Sequence, residues 1–283
     1  MLPRKMGKRR MIKQSFLTKN DCYIYNQKRN DKRYATFQDR GPVGLMLHSV
    51  GCSQPSAKSF VDKWNKSGIS KCVHGFIDAN TGDVYQTLPW NYRGWHAGGK
   101  ANDTHIGVEM CEPNCIQYTS GAKFVCTDKA KAQAMVGTTY DAAVELFAMI
   151  CQEYHLDPMK DILSHSEGYK QGIASGHSDP EHLWRGLGLP YTMATFRDAV
   201  SKRMKGIDPV ASPEPQQSAS DSYKVKILTG TLNVRKGPST KYDINTVVRY
   251  GEVYTIVEES ADKKWGKLKS GAGWINLAYT TRV

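Results

Sequence analysis

Gly44-Leu-Met-Leu-His48-Ser-Val-Gly51 runs three large apolar residues into a histidine and then into a small-residue turn. So short an apolar run, bounded by a turn, predicts a buried strand, with His48 placed where the strand gives way to a loop. His105–Met110 and Ile162–His165 read as two further central strands, and His74 to Leu88 as a hairpin turning at Asn80-Thr-Gly82. Ser56 to Lys66 reads as a capped helix. A longer helix is expected after Thr127, its proposed cap, because Val136, Tyr140, Ala143, Val144, Phe147, Ile150, Cys151 and Tyr154 step by three or four. It should stop at Leu156-Asp157-Pro158, since proline disfavours helix in the residue before it. A last amphipathic helix is expected from about Thr192 to Met204. Strands alternating with helices predict an α/β domain, a mixed central sheet flanked by helices.

Gly206 to Ser222 is rich in Pro, Ser and Gln and nearly free of large apolar residues, the composition of a flexible linker. Beyond it the period falls to two. Leu232-Asn-Val234, Val253-Tyr-Thr-Ile-Val257 and Trp274-Ile275 are short strand candidates separated by Gly and charged turns, which predicts a small all-β barrel. The expected organisation is a basic N-terminal segment over 1–40, a main domain over 41–205, a linker over 206–222 and a β domain over 223–283.

The chain has 283 residues, 40% of them hydrophobic, enough for one ordinary core and a small one. Its formal charge of +12 is unevenly placed. Residues 1–40 hold twelve Lys or Arg against three Asp, and residues 223–283 hold eleven against five acidic residues, so the middle is mildly acidic. Basic ends suit any polyanion, whether nucleic acid, anionic membrane or bacterial wall polymer. Residues 1–40 carry only Tyr23, Tyr25 and Tyr34 among the basic residues and Phe16 and Phe37 beside them, and no nucleic-acid motif, so no nucleic-acid partner is expected. No run of about 18 apolar residues is read along the chain, so no membrane insertion is expected. The opening MLPRKMGKRRMIKQSFL lacks the apolar run of about 7–15 residues that a secretory signal needs, so the protein is expected in the cytoplasm until another agent releases it. Seven cysteines without a regular framework predict free thiols, and Cys111 and Cys115 lack the second pair that a metal site of that type needs.

A histidine such as His48 is ordinarily a satisfied polar residue. Here His165 closes another expected strand, and His177-Ser-Asp179-Pro180 follows in a loop. Two histidines and a carboxylate on strand ends can bind zinc tetrahedrally and leave the fourth position to water, the arrangement of catalytic rather than structural zinc.

GLMLHSVG (44–51), TGDVYQTLPW (81–90), RGWHAGG (93–99), IGVEM (106–110), ILSHSEGY (162–169) and HSDPEHLW (177–184) together resemble the N-acetylmuramoyl-L-alanine amidases of the phage T7 lysozyme and peptidoglycan-recognition-protein type, over about residues 41–200. The wording is also similar to endolysins of phages and prophages of clostridia-like bacteria. The resemblance implies a zinc amidase domain with His48, His165 and Asp179 as metal ligands and Glu109 as catalytic glutamate. His177 would assist the transition state, and His74 and His96 would line the cleft. His177 and Asp179 both bear metal donors and can exchange roles, and Glu109 has the alternative of a surface ion pair. The T7-like branch places a tyrosine just before the position of His74, where this chain has Val73, so a tyrosine-assisted step is not expected.

Leu232-Asn-Val-Arg-Lys-Gly-Pro-Ser-Thr240, Gly251-Glu-Val253, Trp265-Gly-Lys-Leu268 and Gly273-Trp-Ile275 resemble the bacterial SH3 domain, which implies binding to peptidoglycan. The function expected from both resemblances is a bacteriolytic endolysin acting on peptidoglycan of Gram-positive type. A host autolysin of the same chemistry and a non-catalytic peptidoglycan-recognition protein are the alternatives.

Overall fold

The structure, a computed structural model, describes residues 5–6, 10–29, 31–206, 222–260 and 262–283. Two compact units divide between Pro215 and Gln216. Apart from Gly206 and Ser222, the expected linker lies outside the described residues.

The first unit is built on strands β1 (Lys5–Met6), β2 (Arg10–Gln14), β3 (Gly44–Ser49), β4 (Gly75–Ile77), β5 (Val84–Gln86), β6 (His105–Met110) and β9 (Ile162–Ser164). They form one sheet in the order β1-β2-β5-β4-β6-β3-β9. β4, β6, β3 and β9 run parallel, as do β2 and β5, whereas β4 with β5 and β1 with β2 are antiparallel. The remaining strands, β7 (Ile116–Ser120) and β8 (Lys123–Cys126), form a separate hairpin. The helices are α1 (Asp21–Lys28), α2 (Lys32–Arg40), α3 (Ala57–Trp64), α4 (Lys129–Tyr154), α5 (Pro158–Asp161), α6 (His165–Lys170), α7 (Glu181–Leu187) and α8 (Met193–Met204). The α/β reading and the Asn80–Gly82 hairpin are both borne out, Gly82 taking a φ of 74° that suits glycine.

Side chains alternate between the faces of a strand, and here the two faces have different work. Leu45 and Leu47 of β3 and Ile106, Val108 and Met110 of β6 join Val136, Tyr140, Ala143, Phe147 and Ile150 of α4 in the main core, with Phe196 and Val200 of α8 behind. Met46 and His48 of β3 and Glu109 of β6 lie on the opposite face, where Met46 packs with Ala97 and Ala101. α4 is long and apolar enough to cross a membrane by length and composition, which corrects the expectation that no such stretch exists; most of that stretch is buried inside the unit.

Local signals differ from the structure by a residue or two at both ends of α4, and at the start of α3 the expected cap residue makes no cap bond. Asp128, not Thr127, caps α4 by accepting from the Lys131 N–H at 3.0 Å, while the Thr127 hydroxyl donates to the Cys115 carbonyl. α4 ends at Tyr154 because His155 turns left-handed (φ 55°), and Pro158 instead opens α5. Ser56 occupies the cap position of α3 without a side-chain bond, and Asp78 accepts from the Ala57 N–H at 3.0 Å in its place.

The basic stretch before residue 41 forms part of this unit. Ile12, Lys13 and Gln14 pair with Val84, Tyr85 and Gln86, and Leu17, Cys22 and Tyr34 pack with Cys72 and Leu88. Arg10 reaches Glu145 of α4 at 3.1 Å.

The second unit is all-β: β10 (Tyr223–Ile227), β11 (Thr231–Arg235), β12 (Ile244–Arg249), β13 (Val253–Glu259), β14 (Trp265–Leu268), β15 (Trp274–Asn276) and β16 (Thr280–Arg282). They pair antiparallel in the order β12-β11-β15-β14-β13-β10-β16 around Val225, Ile227, Leu232, Val234, Val248, Ile256, Leu268 and Ile275. All seven cysteines of the chain are free thiols.

Candidate functional site

Three parallel strands bring their C-terminal ends to one level. His48 of β3 is the register partner of Glu109 on β6, and Leu47 that of Ser164 on β9, so His165 emerges beside His48. Open α/β sheets form their sites at such strand ends. His165 is the first residue of α6 rather than the last of a strand. Ser164 caps that helix in a reciprocal capping box with Glu167, which fixes the turn that presents His165. Asp179 arrives from the loop before α7 and is held by the Ser49 N–H, which donates to Oδ2 at 3.3 Å.

His48 Nδ1 lies 3.0 Å from His165 Nδ1 and 3.3 Å from Asp179 Oδ2, and His165 Nδ1 lies 3.6 Å from Asp179 Oδ1. One donor atom from each of these buried residues falls within 4.8 Å of the others. Burial pushes Asp179 up, but the His48 bond and both imidazoles outweigh it, and the carboxyl stays below its ordinary range. Burial and then repulsion from His48 bring His165 down to about 4. Two imidazoles and a carboxylate converging on one point form a donor set that fits a divalent cation. Beside them Glu109 has a buried Oε2 with no hydrogen-bond partner, and burial, then the Asp179 charge and then that of Glu112, hold its proton well above the usual carboxylate range. A carboxyl so placed, next to a cation site, is equipped for proton transfer.

Residues 38–182 match the model of the N-acetylmuramoyl-L-alanine amidase family. This chain belongs to that family. Residues 230–281 of the amidase match the bacterial SH3 domain, in agreement with the all-β second unit. Among solved structures, a Staphylococcus aureus hydrolase AmiA in complex with its ligand is 18% identical, with a TM-score of 0.47 over 61% of this chain and 78% of that one. A mutant endolysin from Bacillus subtilis is 20% identical, with a TM-score of 0.39 over 56% and 85%. The N-acetylmuramoyl-L-alanine amidase LysC from Clostridium intestinale is 18% identical, with a TM-score of 0.31 over 54% and 89%. The family assignment rests on the sequence match, not on these likenesses. No curated protein sequence matches the chain.

The other residues expected at the amidase site are divided by the structure. The His177 side chain is 60% exposed, its ring stacks on His165 at 4.5 Å, and its Nδ1 lies 3.8 Å from Asp179 Oδ1. It borders the cluster from the solvent side. His74 is placed differently from the expected cleft position. It is fully buried, its Nε2–H donates to the Tyr92 carbonyl at 2.7 Å and its Nδ1 accepts from the Gly107 N–H at 3.1 Å, and burial brings it down to about 4. His96 faces the cluster from behind, with Nδ1 3.0 Å from His48 Nε2 and Nε2 3.0 Å from the His105 carbonyl. Burial, followed by the neighbouring His48 and His74, holds His96 well below the ordinary imidazole value.

A second polar group beside the site carried no signal in the sequence. Fully buried Glu112 accepts from the Gly51 N–H at 3.1 Å and from the Tyr118 hydroxyl at 2.8 Å, and Tyr118 lies 2.7 Å from His182 Nε2. Burial raises Glu112 to about 7, against the pull of its hydrogen bonds to Tyr118 and Gly51. The group ties the loop after β3 to the β7–β8 hairpin and to α7, which gives His182 a structural partner.

Proposed function

We propose that this amidase is a zinc-dependent peptidoglycan hydrolase that cleaves the amide joining the lactyl group of N-acetylmuramic acid to the L-alanine of the stem peptide. One observation carries the reading: the His48, His165 and Asp179 donors converge within 4.8 Å at the strand ends, with Glu109 as the register partner of His48. His48, His165 and Asp179 would hold zinc, which when bound would supply a Lewis acid for the amide carbonyl and a more acidic water. Glu109 takes the proton of the attacking water at its carboxyl and returns it to the departing alanine nitrogen. His177, exposed at the rim, donates an N–H to the oxyanion that develops on the carbonyl.

Glycosidic cleavage needs two carboxyls set across an acetal. Asp179 faces two imidazoles and Glu112 is engaged by Gly51 and Tyr118, which leaves Glu109 without an acidic partner for that chemistry. The SH3 unit anchors the enzyme on walls of Gram-positive type. The biological role that fits is an endolysin, made in a bacterial cytoplasm and reaching the wall at lysis.

Digestion of purified sacculi tests the reaction. Mass spectrometry should find stem peptides with a new L-alanine amine, with no rise in reducing sugar. New reducing ends would make the enzyme a glycosidase, and new amines at other residues an endopeptidase.

A further inference from the structure

Both candidate metal-binding imidazoles are backed by the same short segment. The His105 carbonyl can only accept, so His96 Nε2, 3.0 Å away, carries the proton of a neutral ring and His96 Nδ1 is left as an acceptor. His48 Nε2, 3.0 Å from that acceptor, must then be the N–H, which leaves the lone pair of His48 on Nδ1, facing His165 and Asp179. The second imidazole follows the same logic. The Ser175 hydroxyl donates to the Ala97 carbonyl at 3.2 Å, so it accepts from His165 Nε2–H at 3.3 Å, and His165 also keeps its lone pair on Nδ1.

His96 and Ala97 are fixed in turn. The backbone N–H groups of both donate to Oδ1 of buried Asn102, each at 2.8 Å. Space for the imidazole comes from glycines: a Cβ on Gly107 would stand 2.4 Å from the His96 ring, and one on Gly94 2.9 Å from it. The RGWHAGG stretch thus has a physical account. Its histidine and the Ala97 carbonyl lie behind the cluster.

We infer that the His96–Ala97 segment, pinned by Asn102, is a positioning element that holds His48 and His165 in the Nε2–H tautomer and so aims both Nδ1 lone pairs at one cation. This rests on the metal reading above, and the two are separable by experiment. Partners of this kind fix the ring orientation of ligating histidines, and losing one costs about 10–100-fold in metal affinity.

The test is the zinc dissociation constant, measured by competition with a chromophoric chelator, for the full chain and for His96→Phe, His96→Gln and Ser175→Ala. Thermal melting of each zinc-free protein serves as the control for folding. His96→Phe and Ser175→Ala should each weaken zinc by about 10–100-fold. His96→Gln, whose amide offers one acceptor and one donor, should stay within about threefold of the parent, well inside that loss. The inference is overturned if His96→Phe binds zinc as the parent does, or if His96→Gln is as weak as His96→Phe. Should His96→Phe not fold, Ser175→Ala decides, because it removes one hydroxyl from a half-buried position, and parental affinity there overturns the inference equally. A parent chain that binds no zinc would instead overturn the metal reading itself.

Discussion

His48 and Glu109 face each other across the β3–β6 ladder as parallel register partners, so sheet hydrogen bonds, not a loop, set the distance between a candidate ligand and the carboxyl beside it. Their spacing is as rigid as the centre of the domain. Each residue can therefore be substituted with little rearrangement of the other, which makes their roles separable.

His48→Ala, His165→Ala and Asp179→Ala should each lose zinc by more than the ~10–100-fold typical of a supporting residue, because each removes one of three donors. His177→Ala should retain zinc and react slowly, since its exposed ring borders the cluster without entering it. Metal content after gel filtration, read beside turnover, checks both. Full zinc in Asp179→Ala with loss in His177→Ala would exchange their roles.

Glu109→Gln should keep zinc and substrate while turnover falls by about 10²–10⁴-fold, as the amide fills the same space but accepts no proton. Single-turnover kinetics on a defined muropeptide is the measurement. Near-parental turnover would return Glu109 to a structural role.

Glu112 predicts a pH dependence of stability. Its folded pKa of about 7 lies above the ordinary 4.5, so the native state binds the extra proton between those values. Stability therefore falls as pH rises through that window, by up to about 3 kcal/mol above pH 7. Glu112→Gln cannot ionise. Its melting temperature relative to the parent, both zinc-free, should rise from pH 5 to pH 8, and a pH-independent difference would contradict the raised pKa.

Removing residues 223–283 should leave hydrolysis of small soluble muropeptides unchanged and weaken retention on intact walls. Two modules on one chain gain from high effective concentration on a shared polymer, and a single one does not. Sedimentation with sacculi measures the difference, and equal retention would deny the SH3 unit its anchoring role.

Most of the sheet was legible because its central strands are short, largely apolar segments bounded by turns, Leu45-Met-Leu47 in β3 and Ile106, Val108 and Met110 in β6. The candidate ligands were legible because chemistry and motif coincide at His48, His165 and Asp179. What escaped depends on contacts distant in sequence. Nothing near Glu112 announces Tyr118 or His182, and His74 was expected beside His96 in the cleft, yet backbone groups take up both of its ring nitrogens. The N-terminal strand escaped because Arg10-Met-Ile-Lys-Gln14 reads as charge, whereas in the sheet it is a pairing partner. In the SH3 unit, Tyr223-Lys-Val-Lys-Ile227 hid a strand in the same way.

The docking of β2 along β5 bears on how the catalytic half could be shortened. A fragment beginning at residue 41, close to where the family match starts, would strip a parallel partner from β5 and withdraw Leu17, Cys22 and Tyr34 from beneath Cys72 and Leu88. The bared strand would offer its unpaired backbone to any neighbouring chain, a route to aggregation that has nothing to do with chemistry. The smallest soluble amidase fragment should therefore begin no later than Arg10, well upstream of the point that the family boundary would suggest.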